Sequence, residues 1–365
     1  MASNLPKAKV KIPSIPGTKP STQNAQLLIS TGIPSLDNII GGGLPIGSIL
    51  LIEEDTYGNY GKIVLKYFLA EGAVVSHSLF VASQDTKPEQ LISELPAVVE
   101  ESPGAPNEMP TDEKMQIAWR YQNMRILDSS PKNRHIFGHF YDLTKKIDQE
   151  MLNNTDITLW NGENLTYEAT GFQNNAYIDL LKTVQETLKK GDFYVNANPE
   201  RRNILRIGLH SLGSRLWLGD TEESMHNDLL KFLYSFRALL RNSFAVAAIT
   251  VPSQCFQGHN DIIGRMEHLA DTAVSLESFA GSSKETNPVF RDYHGLLRIK
   301  KLSAINTLAP HCPESFDLAF KLRRKKFIIE ILHLPPELDD SSQREQDDNI
   351  QTTGCGNVGR SLLDF

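Results

Sequence analysis

Cysteine is scarce in this chain. Its 365 residues include three, Cys255, Cys312 and Cys355, and no C-x-x-C pair. An odd, sparse set argues against a disulfide framework or a zinc site and fits a reducing compartment. Long apolar runs are also missing. None approaches the ~18 residues needed to span a bilayer, and no apolar stretch of the secretory-signal kind stands near the start. Ala2 excludes myristoylation, and Leu362-Leu363-Asp364-Phe365 is no prenylation box. The expectation is a soluble intracellular protein. Surplus positive charge is absent as well. A net charge of -7 argues against a wholly basic nucleic-acid coat. A local basic patch remains compatible with it, because charge acts over a Debye length of about 8–10 Å. What is present is material for a core, with 40% apolar and 22% charged residues. The length exceeds one minimal domain and suits a large α/β domain with insertions, or two small ones.

Residues 1–24 read as a disordered tail. Pro6, Pro13, Pro16 and Pro20 alternate with Lys7, Lys9, Lys11 and Lys19, and little there can be buried to offset ordering entropy. Residues 339–365 read as a flexible acidic tail. Between them lies a single domain, 25–338, with surface insertions near 98–113 and 126–135. Its apolar runs are short and β-rich: Ser48–Glu53, Leu79–Ala82, Asn203–Leu209, Phe244–Val251 and Thr272–Leu276. The unbroken apolar character of 244–251 predicts a central strand buried on both faces. Helical spacing marks Ile63–Glu71, Gln173–Lys190 and Ser224–Arg241. Alternation of strand and helix implies a mainly parallel sheet with right-handed crossovers. Beyond it, Leu296–Lys300, Leu318–Leu322 and Lys326–Leu332 read as antiparallel strands added at the sheet edge.

The stretch most informative about chemistry is Thr31–Ala70. A strand to Glu53, a turn and a helix follow Gly41-Gly42-Gly43-Leu44. A phosphate loop has this order and the pattern G-x-x-x-x-G-K-[ST], with backbone N–H groups and a helix N-terminus facing the anion. Aligned on Gly61-Lys62, the chain reads Thr56-Tyr57-Gly58-Asn59-Tyr60-Gly61-Lys62-Ile63. The second Gly and the Lys match. The first Gly is Thr56, and the hydroxyl that holds Mg²⁺ is Ile63, which has no oxygen. Glu53, Glu54 and Asp55 crowd acids where a polyphosphate would lie. The acid that orders Mg²⁺ at the end of a later strand is His210, a poor ligand for a hard cation. Thr56, Gly58, Gly61 and Lys62 are therefore read as a remnant nucleotide site. The alternatives are a surface Lys after a turn, or an active RecA-class ATPase using Lys62.

Several motifs in order carry a resemblance. Ser30–Asp37 with Gly41–Leu44 resembles the opening of RecA- and KaiC-like ATPases. Leu50–Asp55, Lys66–Gly72, Lys114–Tyr121, Arg202–Gly208, Glu285–Pro288, Ala319–Phe327 and Leu332–Leu338 narrow the lineage. Together they resemble the PAXNEB family, the fourth-subunit family of the Elongator complex, over most of the chain. The resemblance implies a RecA-like fold without an intact phosphate loop. It implies a heterohexameric ring with subunits five and six, docked on the larger Elongator subunits. It also implies tRNA binding in support of wobble-uridine carbon-5 modification, and a place in cytoplasm and nucleus. No cofactor of its own is expected, with ATP confined to ring interfaces.

In RecA-like rings the loops after the strands ending near His210 and Val251 face the channel. Arg215, Trp217 and Arg265 lie in or beside them and are the tRNA-binding candidates. Cations would neutralise phosphates and Trp217 would stack on a base. The alternative is a solvated Arg over a packed Trp. The run Lys321, Arg323, Arg324 and Lys325 is a candidate subunit interface, or a charged edge strand that blocks pairing. His135 and His139 have i,i+4 spacing but no third ligand, so no metal site is expected.

Overall fold

A computed structural model of the chain describes residues 15–21, 26–99, 137–163, 165–167, 171–217, 222–256, 258, 260–307, 311–323 and 325–333. The readings for residues 1–14, for most of the two insertions and for the acidic tail 339–365 lie outside these residues.

The chain opens with a small antiparallel sheet of β1 (Thr18–Pro20), β2 (Leu27–Ile29) and β3 (Leu44–Pro45), with helix α1 (Pro34–Ile39) between the last two. β1 lies inside the stretch assigned to a disordered tail, so that boundary moves. Ile15 is buried, His77 donates from Nε2 to the Pro16 carbonyl at 2.8 Å, and the Lys19 ammonium sits 4.1 Å from the Phe137 ring centroid. These partners are distant in sequence, which is why composition alone points to a tail.

The main sheet begins with β4 (Ile49–Glu53), helix α2 (Asn59–Val74) and β5 (Ser78–Ala82). Helix α3 (Pro88–Ser93) leads to a two-stranded antiparallel sheet, β6 (Pro96–Val98) with β7 (Tyr141–Lys146). Then come α4 (Gln149–Asn153), β8 (Ile157–Trp160), α5 (Asn175–Lys190), β9 (Leu205–Leu209) and α6 (Glu222–Arg241). β10 (Ala245–Val251), α7 (Asn260–Leu269) and β11 (Thr272–Ser278) complete the alternating part. β12 (Gly295–Lys301), β13 (Leu318–Arg323) and β14 (Lys326–Ile331) follow.

Nine strands form one sheet in the order β14-β13-β12-β11-β4-β10-β9-β5-β8. From β11 to β8 every pairing is parallel, and β12, β13 and β14 are antiparallel additions. This is the expected α/β class, a mainly parallel sheet with antiparallel C-terminal strands and with a Gly-containing turn and helix after a central strand. β10 is buried along its whole length. Val246 and Ala248 face a core shared with α2, while Ala245, Ala247, Ile249 and Val251 face a core shared with α5 and α6. Alternate residues of a strand point to opposite faces, so a strand covered on both sides needs apolar residues at every position.

The α2 side also holds a buried cation. Arg206 on β9 is fully buried. Its Nη1 donates to the carbonyls of Ser30 (2.8 Å) and Phe68 (3.0 Å), and its Nε donates to His77 Nδ1 (3.1 Å). Gly72 makes the room, because a Cβ there would lie 2.6 Å from Arg206 Cδ. Glu71 lies nearby and accepts from His139 N (3.0 Å), His139 Nδ1 (3.1 Å) and Tyr141 Oη (2.6 Å). Burial alone would raise the Glu71 pKa. The His139 bond, the Arg206 charge and the Tyr141 bond outweigh it and hold the carboxyl below its usual range. His139 is thereby a partner of Glu71. Its neighbour in the sequence pattern, His135, lies outside the described residues.

Burial, and then the Arg206 charge, push the His77 pKa down to about 3. An unfolded histidine titrates near ~6.5. Below that pH the unfolded chain takes up a proton that the folded chain refuses until about pH 3. Stability should therefore fall as pH drops from about 6.5, by at most about 1.4 kcal/mol per pH unit from this group. Urea unfolding at about pH 7, 6 and 5 measures it. His77→Gln keeps an acceptor for Arg206 and should flatten the slope, and an unchanged slope in that variant would contradict the assignment.

Candidate functional site

The C-terminal ends of β4, β9 and β10 converge on the turn Glu54–Gly58 that leads into α2. A cleft of about 340 Å³ lies there, lined by Glu54, Asp55, Thr56, Gly58, Lys62, Asp85, His210, Ser211 and Cys255 among others. The sequence-derived remnant, Thr56, Gly58, Gly61 and Lys62, is thus brought to one place. The helix starts at Asn59, ahead of the Gly61-Lys62 pair, after Gly58 in the left-handed region (φ 67°).

The turn is closed on its own carboxylate. Asp55 Oδ1 accepts from the amides of Tyr60 (2.8 Å) and Gly61 (3.3 Å), and Oδ2 accepts from Tyr57 N (3.3 Å). The Asp55 carbonyl accepts from Gly58 N at 2.8 Å. Asp55 is buried. The first N–H groups of a helix have no intrahelical partner and are what a phosphate loop offers its anion. Here an internal anion has two of them. Glu54 lies across Gly61, where a Cβ would come within 2.9 Å of its Cγ. Gly61 therefore serves the close approach of a side chain. Glu54 Oε1 accepts from Ser211 Oγ at 2.8 Å. Burial raises the Glu54 pKa against the opposing bonds from Thr250 and Ser211.

The two residues at the magnesium positions, Ile63 and His210, offer no side-chain oxygen. Ile63 packs against the hydrophobic core below α2. His210, at the end of β9, is buried, and its Nδ1 lies 3.1 Å from Ser83 Oγ. Burial, then the charges of Lys62 and Lys66, lower its pKa to about 4, so it is a neutral imidazole near pH 7. Burial, then Lys66, also lower the pKa of Lys62, which lines the cleft. Among the described residues no group of three His, Cys, Asp or Glu has metal-binding geometry.

The loop after β9 separates two of the RNA candidates. Arg215 is exposed at the start of a short 3-10 turn, Arg215–Trp217. Trp217 is buried and stacked between Trp160 (centroids 5.4 Å) and Tyr177 (4.9 Å). Its ring has no free face for a base, because three aromatic rings pack together between α5 and the sheet. Arg265 stands exposed on α7. The cationic run is divided too. Lys321 is buried on the internal strand β13, beside Glu330 and 5.6 Å from the Tyr293 ring, so it is no edge charge. Lys325 pairs with Asp142 at 3.3 Å, Arg323 is exposed, and Arg324 lies outside the described residues. The role of Asp55 was missed from sequence. Its signal was an acid at the position where a phosphate loop needs bare amides.

Comparison with known proteins places the chain. The family model for PAXNEB protein matches residues 11–365. A relative called Elongator complex protein 4 in Danio rerio is 43% identical, with 98% of this chain and 94% of that protein covered. One of the same name in Homo sapiens is 40% identical, with 97% and 90% covered. Among solved structures, a KaiC-like protein from Pyrococcus horikoshii OT3 aligns with a TM-score of 0.45 and 15% identity, covering 83% of this chain and 98% of that one. With a full-length family match and such relatives, the chain belongs to the PAXNEB family.

Proposed function

We propose that this chain is a non-catalytic subunit of the Elongator complex. In this reading it forms a heterohexameric ring with subunits five and six, and the ring docks on the larger Elongator subunits. It binds tRNA and supports modification of the wobble uridine at carbon-5. Family membership along nearly the whole chain supports the assembly part. The observation that carries the non-catalytic part is the Asp55 carboxylate on the amides of Tyr60 and Gly61. ATP hydrolysis needs those amides for phosphate, a hydroxyl for Mg²⁺ and an acid for water. The first are taken, and Ile63 and His210 stand at the other two places. Any nucleotide would then sit at a ring interface completed by a neighbour. Arg215 and Arg265 are the cations this reading assigns to tRNA, and Arg323 is its candidate for a neighbouring subunit.

Three tests follow from the site. Asp55→Ala leaves the amides of Tyr60 and Gly61 at the start of α2 without their acceptor and should cost about 1–2 kcal/mol in urea unfolding. A cost near zero would show that the carboxylate is not needed there. Lys62→Ala should leave ATP turnover by the assembled ring nearly unchanged, and a large loss would favour the ATPase alternative. Arg215→Ala should weaken tRNA binding and lower its salt dependence, since one phosphate contact is lost. Identical binding at all salt concentrations would remove Arg215 from the site.

A further inference from the structure

Burial of Trp217 leaves the RNA reading without its aromatic, and a second surface supplies one. Helices α6 and α7 are neighbours on the same face of the sheet, and a cleft of about 590 Å³ opens between them. Leu230 and Leu269 line it with Tyr234. Tyr234 is 70% exposed, a large aromatic surface left in water. Lys231, Arg265 and His268 complete the rim, with Asp261 as the acid among the lining residues. Lys231 donates to the Gly171 carbonyl at 2.8 Å and lies 3.6 Å from Asp228. Arg265 has no hydrogen bond or ion pair among the described residues, so its donors face solvent. Gly264 lines the cleft, and a Cβ there would meet nothing within 4 Å, so a side chain at this position has room to be placed.

We propose that the α6–α7 cleft binds an unpaired RNA nucleotide, with Tyr234 stacking on the base and Arg265 on the adjoining phosphate. The proposal rests on the RNA-binding reading above and names a site for it. Single-strand sites combine an aromatic platform with cations that follow the backbone. An apolar floor suits the face of a base, and Arg265 on the rim suits its phosphate, since Lys231 already pairs with Asp228. Tyr234 spends little conformational freedom on stacking, since its ring turns about only two side-chain torsions. A protein segment covering the cleft is the competing occupant, and the test separates the two.

The probe is a fluorescein-labelled, uridine-rich single-stranded RNA of about 12 nucleotides, bound to the full chain, alone and assembled with its partner subunits. Anisotropy is read at several salt concentrations between roughly 50 and 200 mM. Tyr234→Ala should weaken binding by about 5- to 150-fold with the salt slope unchanged, because a stacked base is lost and no phosphate contact. Arg265→Gln should weaken it and lower the slope by about 0.7, the value for one contact on a single strand. Gly264→Leu fills the cleft, raises helix propensity and should lose binding without losing thermal stability. In addition, 4-thiouridine in the probe should crosslink to a peptide containing Tyr234. Wild-type binding by all three variants would overturn this site. If the assembled ring still bound tRNA, the RNA reading itself would stand. Absence of RNA binding by the wild-type ring would overturn both.

Discussion

The amides that open α2 need an acceptor, and most of what distinguishes this chain follows from which acceptor they have. A helix N-terminus next to the end of a central parallel strand is an anion site by geometry alone. Most of its attraction comes from groups that cannot be removed by mutation, since they are backbone. A chain that keeps the frame without the ligand must satisfy those groups from within. Asp55 does so with one carboxylate on the amides of Tyr60 and Gly61. Glu54 then packs over Gly61 and turns its head to Ser211, which ties the turn to the end of β9. The turn is thereby closed by side chains of its own segment and of the loop after β9.

A second constraint works deeper in the molecule. Arg206 in the middle of β9 is a permanent cation without solvent. A buried charge is costly unless hydrogen bonds and a nearby opposite charge compensate it. Two backbone carbonyls accept from Nη1 and His77 accepts from Nε, Nη2 has no hydrogen-bond partner among the described residues, and Glu71 supplies the field. The same Glu71 receives His139, just before β7, and Tyr141, its first residue. One buried cation therefore links the N-terminal segment, α2, the sheet and β7. The interaction gives little net stability on general grounds and fixes the relative placement of four segments.

Much of the frame was legible in the sequence because its signals are local. The apolar run 244–251 marks the central strand, and helical spacing marks α5 and α6 within a few residues of their limits. The antiparallel strands β12, β13 and β14 follow from three short runs with little helix between them. What escaped depends on partners far away in sequence. β1 is three residues long and is held by β2, with Ile15 and Pro16 anchored beside it. At the site, Ile63 and His210 were legible as missing magnesium ligands because each is a change of chemical type at a motif position. Asp55 read only as unwelcome charge, since no pattern says which amide a carboxylate will reach. The burial of Trp217 and the exposure of Tyr234 escaped for the same reason. Burial of an aromatic is decided by tertiary neighbours such as Trp160 and Tyr177, not by the loop that carries it.

The central claim is that the phosphate-loop frame of this chain is filled by its own side chain. The direct measurement is the backbone amide resonances of Tyr57 to Lys62 in the isolated full chain, titrated with pyrophosphate and with magnesium ATP. The account predicts that these amides neither shift nor gain exchange protection up to millimolar ligand. Saturable shifts centred on Tyr60 and Gly61 would contradict it, because they would mean that phosphate displaces Asp55 and the site still takes nucleotide.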